Sequence, residues 1–198
     1  MLKASARRGF TLIELLVVIA IIGILAALVG TVYSKARKTA KIAEAATGID
    51  NLKTALGTYH TAAGQYPGAG GEPRDDPAEV FRALYLGRKR HLEDWPREKI
   101  GLWPGQYKNN PSDIYDTPNW DQIDVNAPNP PPMVFLDPWG RPYHYVEWSS
   151  KPTAKNSLPG GQFRRKGGQP MAIWSDGPDK KNDWGADESD DITSWGSH

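Results

Sequence analysis

The chain has 198 residues, a formal charge of +1 from 24 basic and 23 acidic side chains, and no cysteine. That length allows one modest domain and an anchor. The charge lacks the basic excess of a nucleic-acid binder, and the missing cysteines exclude a disulfide framework, a thiolate metal site and a cysteine nucleophile.

Lys3, Arg7 and Arg8 precede an uninterrupted apolar block, residues 10–32, whose only charge is Glu14. A helix of that length, at about 1.5 Å per residue, spans a hydrocarbon core of roughly 30 Å. The basic flank predicts a cytoplasmic N-terminus. A secretory signal peptide would have a shorter apolar run and a small-x-small cleavage site after it. A plain signal anchor would explain the span but leave the acid idle, and an intramembrane carboxylate is seldom idle.

Beyond the block, Ile42, Ala45, Ile49, Leu52, Leu56 and Tyr59 recur at alternating spacings of three and four, one face of a helix. Lys35, Arg37, Lys38 and Lys41 mark the membrane exit, and Gly64 with Tyr66-Pro67 marks the stop. One helix is therefore predicted from about residue 11 to about residue 63. Gly23 and Gly30, inside its apolar half, suit either close helix packing or local melting.

Residues 65–132 form a Pro-rich region with one short predicted helix over 76–86, with Asp76 at the N-cap, Pro77 at N1 and Gly87 at the C-cap. Trp95, Trp103, Tyr107, Tyr115 and Trp120 are expected to pack over a sheet rather than line a carbohydrate groove. The cluster Arg88-Lys89-Arg90 with His91 reads as a solvated loop. Residues 137–140 predict a turn, 142–148 a strand, 149–170 a basic hairpin arm and 171–175 a second strand.

The region 176–191 then carries seven acids and two lysines. Such density costs self-repulsion unless the charges are solvated or gathered round a cation. Ca²⁺, which takes six to eight oxygens in an irregular loop, suits them. An EF-hand does not fit, because Trp184 falls where the loop needs Gly.

Gly9, Phe10, Thr11, Leu12 and Glu14 closely resemble the type III signal of prepilins and pseudopilins, a Gly-Phe-Thr-Leu-x-Glu junction followed by an apolar helix. The stretch Asp137-Pro138-Trp139-Gly140-x-Pro142-Tyr143-x-Tyr145 resembles the sheet entry of the major pseudopilin of type II secretion systems. The ending, x-Gly-x-Asp and then Asp-Asp-Ile-x-x-Trp, resembles that family's calcium loop.

The resemblance implies an α+β, type IV pilin-like fold: a long N-terminal helix on a small antiparallel sheet, with a C-terminal calcium loop. It divides the chain into a leader (1–9), a transmembrane and filament-core helix (10–33), its amphipathic continuation (34–64), the variable region (65–132) and the C-terminal sheet and loop (133–198). It further implies cleavage between Gly9 and Phe10 by prepilin peptidase and N-methylation of Phe10. Glu14 would then pair with a neighbour's Phe10 amine during assembly. Structural Ca²⁺ would be held by the carboxylates of Asp179, Asp190 and Asp191 and the backbone carbonyl of Asp176, with Asp183 or Asp187 as substitutes.

The implied function is a non-enzymatic subunit of a periplasmic pseudopilus that drives export of folded proteins across the outer membrane. Its partners would be other copies of itself, minor pseudopilins, prepilin peptidase, an inner-membrane assembly platform and a secretin, with the subunit crossing the inner membrane once. Two alternatives are a major type IV pilin of a surface fibre and a monomeric signal-anchored binding module.

Overall fold

A single helix, α1 (Leu12–Ala63), runs through the apolar block and the amphipathic stripe, and Gly64 ends it with a φ of 76° that favours glycine. The computed structural model describes residues 10–69, 76–86, 90–92, 94–106, 114–124, 127, 129–147, 170–183 and 189–195, with the backbone alone at 28–32. The chain divides into two units, residues 1–40 and 41–198.

In the first unit, the described side chains of α1 from Leu12 to Leu25 are exposed, Leu12 by 82% and Val18 by 43%. The helix continues through Gly23 and Gly30 without a break. Among the described residues no helix is long and apolar enough to cross a membrane. Of the block 10–32 on which the expected span rests, the side chains of 28–32 lie outside the description.

In the second unit, the remainder of α1 buries Ala45, Ile49, Leu52, Ala55 and Leu56, with Ile42 and Tyr59 half-buried beside them. This is the stripe read from the sequence, and it forms one wall of the main core. Helix α2 (Pro77–Tyr85) starts where expected: Asp76 accepts from Glu79 N at 3.1 Å, and Pro77 follows at N1. Its C-cap is Leu86 rather than Gly87, which lies outside the described residues. The Leu86 N–H bonds Arg82 O at 3.2 Å, so the last turn closes on the helix's own carbonyl.

Two small antiparallel sheets pack on these helices. Strands β1 (Ile100–Leu102) and β2 (Met133–Phe135) pair with Ile100 opposite Phe135. Strands β3 (His144–Glu147), β4 (Met171–Ser175) and β5 (Ile192–Thr193) form the second sheet in that order, with His144 opposite Trp174 and Ser175 opposite Ile192. The fold is thus α+β, a long helix on small antiparallel sheets, as the sequence implies.

The first sheet was not predicted, because β1 lies inside the Pro-rich region. Gly101 occupies its centre because a Cβ there would sit 3.1 Å from Leu136 and from Tyr115. Trp95 and Tyr115 are buried, so these aromatics fill the interior. The hairpin arm expected over 149–170 lies outside the described residues apart from Pro170.

Candidate functional site

Two sites stand out, one at the start of α1 and one at the acidic ending. Gly9 lies outside the described residues, and Phe10 is exposed. Thr11 and Glu14 cap α1 reciprocally. Thr11 Oγ1 accepts from Glu14 N at 3.4 Å, and Glu14 Oε2 accepts from Thr11 N at 2.8 Å and from the Thr11 hydroxyl at 2.7 Å. This is a capping box, which satisfies two of the helix's orphan donors and places a carboxylate at the positive end of its dipole. The signal for it, Thr-x-x-Glu ahead of an apolar run, is visible in the sequence, and it gives Glu14 a second role beside the expected one in assembly.

The acidic ending opens at β4. Asp179, Asp183 and Asp190 bring one carboxylate oxygen each within 4.8 Å of one another, and all three are exposed. The loop is drawn together by its backbone. Gly177, at φ 70°, lies so close to the Asp190 carbonyl that a Cβ would fall 2.2 Å from it. Asp179 N donates to Asp190 Oδ2 at 3.2 Å, Lys181 N donates to Asp179 Oδ1 at 2.8 Å, and Lys180 adopts a φ of 62°. Partial burial, then the charge of Asp179, raise the pKa of Asp190. A cation among the three carboxylates would relieve that repulsion.

This arrangement differs from the ligand set implied by the resemblance at Asp191, and Asp183 is one of the substitutes it allows. Asp183 joins Asp179 and Asp190, whereas Asp191 is buried and lies outside the trio. The side chain of Asp176 is fully buried and engaged elsewhere: Oδ1 meets His144 Nε2 at 2.6 Å, and Oδ2 accepts from Arg141 Nε at 3.1 Å. Only its backbone carbonyl is left for a metal. Burial alone would raise the Asp176 pKa, but His144 and Arg141 outweigh it and hold the carboxyl below its ordinary range.

Behind Asp176, Asp137 binds the turn it precedes. Its Oδ1 accepts from Trp139 N at 2.9 Å and Arg141 N at 2.8 Å, and its Oδ2 accepts from Ser175 Oγ at 2.6 Å. The turn also touches α1: Lys41 Nζ donates to Pro138 O at 2.7 Å and lies over the Trp139 ring. Tyr143 donates to Ala45 O at 3.4 Å. Trp139 and Tyr143 thus both contact α1. The loop's far end is anchored by Ile192 in the main core and by Trp195, edge-on to the buried Trp174 at 6.2 Å.

A family profile described as the prokaryotic N-terminal methylation motif matches residues 4–30. The chain is 39% identical over 103 residues to a fimbrial protein of Moraxella nonliquefaciens, covering 52% of this chain and 66% of that one. It is 42% identical over 64 residues to a fimbrial protein of Neisseria meningitidis, covering 32% and 38%. It is 41% identical over 63 residues to the type IV major pilin protein PilE1 of Neisseria gonorrhoeae, covering 32% and 38%. The chain thus spans less than two thirds of the length of these curated relatives. No solved structure matches. The long helix on small antiparallel sheets and the N-terminal methylation motif support a type IV pilin-like reading of the chain, which is similar to these fimbrial proteins.

Proposed function

We propose that this chain is a membrane-anchored subunit that polymerises into a filament through the apolar half of α1. The observation that carries the reading is the exposed apolar face of Leu12 to Leu25, headed by the methylation motif with its single acid, Glu14. So much exposed hydrocarbon suits a lipid bilayer before assembly and a packed helical core afterwards. Prepilin peptidase would cut between Gly9 and Phe10 and methylate the new amine. Glu14, already held by Thr11 within its own chain, would exchange that partner for a neighbour's Phe10 amine on assembly, which offsets the desolvation of both charges.

Mass spectrometry of the mature subunit tests this. The expected N-terminus is N-methyl-Phe10, and a mature chain that begins after residue 32 overturns the reading. Glu14→Val is expected to leave processing intact and abolish filaments. Thr11→Ala is expected to weaken the helix start and lower filament yield only partly.

Among filaments, the fimbrial relatives support a major pilin of a surface fibre. A second reading, the type II secretion pseudopilus, is favoured by the gathered Asp179, Asp183 and Asp190, which would hold a structural Ca²⁺ with the Asp176 carbonyl. In that reading the partners are minor pseudopilins, an inner-membrane platform and a secretin. Electron microscopy of intact cells separates the two. Fibres beyond the outer membrane support the first. Loss of secreted proteins on deletion, with no surface fibres, supports the second.

A further inference from the structure

A cleft of about 530 Å³ opens in the second unit between α1 and the segment leading to β1. That is the size of a small-molecule site, and neither filament reading uses it. Its floor is one face of α1, formed by Thr47, Asn51, Thr54 and Thr58 at spacings of four, three and four. Asp94 and Trp95 stand on the opposite wall, and Glu44 and Lys99 meet as an ion pair at its edge.

The polarity of this lining leans toward acceptors. The Thr47, Thr54 and Thr58 hydroxyls each donate to the carbonyl four residues back, at 2.9 Å. Their protons are thus committed, and each oxygen is left only as an acceptor. The carboxylates of Glu44 and Asp94 accept only. Three donors are engaged: Trp95 Nε1 bonds Lys99 O at 3.0 Å, the Tyr143 hydroxyl bonds Ala45 O at 3.4 Å, and Lys99 is paired with Glu44, while the Asn51 amide and the His91 imidazole each offer a donor and an acceptor.

We propose that this cleft binds an organic cation carrying an ammonium or guanidinium group. Such groups have three or five donors and no acceptor, the complement of an acceptor-rich lining. An anion would face the Asp94 carboxylate, with Glu44 and Lys99 already paired to each other. A hydrocarbon ligand would strip water from hydroxyls and carboxylates without replacing those hydrogen bonds. The half-buried Leu92 and the Pro96 ring give the methylene stem of such a cation an apolar contact.

The test is calorimetric titration of the full chain in detergent micelles with spermidine and, separately, arginine amide; glucose and sodium sulfate serve as controls. Saturable binding of either cation is expected, with no response to glucose or sulfate. Spermidine alone would identify the amine as the preferred form, arginine amide alone the guanidinium. Asp94→Asn should weaken binding about tenfold, the loss of one charge-assisted hydrogen bond. Thr54→Val should weaken it too, while Thr61→Ala, on the same helix outside the cleft, should bind like the parent. Absence of saturable binding by both cations, equal binding by Asp94→Asn, or binding of glucose as tight as that of the cations overturns the proposal. Filament assembly reads out the earlier proposal independently.

Discussion

The carboxylate of Asp176 lies between His144 Nε2, at 2.6 Å, and Arg141 Nε, at 3.1 Å, in the buried interior of the second unit. The contact joins the start of the acidic loop to the turn before β3, and through that turn to Lys41 of α1. The carboxylate directly follows β4, and its partners are His144 at the start of β3 and Arg141 in the turn before it, so the cluster ties the end of one strand to the start of the strand it pairs with.

Removing the carboxylate should therefore cost more than a surface ion pair would. Asp176→Asn removes the carboxylate that Arg141 and His144 bond in the interior, and breaking such a buried pair typically costs about 3–5 kcal/mol. Urea denaturation of the variant should show the loss as a lower midpoint. A midpoint within experimental error of the parent's would mean that the cluster does not hold the sheet.

Asp137 sets the pH dependence. Burial raises its pKa to about 6 from 3.8, against opposing bonds from Ser175, Arg141 and Trp139. The folded state thus holds this proton more tightly than the unfolded chain. Stability falls as pH rises from about 4 to about 6, by on the order of 3 kcal/mol, and stays reduced above that. Asp176 acts oppositely: its lowered pKa contributes stability above the unfolded value of 3.8, lost as pH falls through its folded value. Stability measured from pH 3 to pH 7 should peak near pH 4, and Asp137→Asn should remove the decline between pH 4 and 6.

Calcium should raise the melting temperature if the three gathered aspartates hold it. At a hundredfold excess over Kd the gain is about 2.7 kcal/mol, or about 5–10 °C for a domain of this size. Asp183→Asn and Asp190→Asn should lose the shift. Asp191→Asn should lower the baseline but keep the shift, since Asp191 lies in the interior, away from the trio. A shift lost in Asp191→Asn and kept in Asp183→Asn would restore the ligand set of the resemblance.

Gly48 is on the buried side of α1, where a Cβ would fall 2.3 Å from the Tyr143 hydroxyl and 3.0 Å from its ring carbon. Alanine is the better helix former by about 1 kcal/mol, but overpacking costs about 1–3 kcal/mol. Gly48→Ala is therefore expected to lower the melting temperature, whereas Gly57→Ala, with nothing within 4 Å of its Cβ, should raise it.

The sequence by itself determined the elements whose causes are local. The stripe from Ala45 to Leu56, the Asp76-Pro77 helix start, the Gly64 stop and the apolar β4 follow from periodicity, capping and turn chemistry, which act over a few residues. The methylation motif is equally local. Tertiary structure alone decided that β1 pairs with β2 across some thirty residues of Pro-rich chain, because strand pairing is a long-range choice among many partners. It also decided which acids face solvent and which are spent inside. Asp176 and Asp183 are the same residue type in the same acidic run. Only the arrival of His144 and Arg141 from another strand and turn buries one, while the other stays exposed beside Asp179 and Asp190.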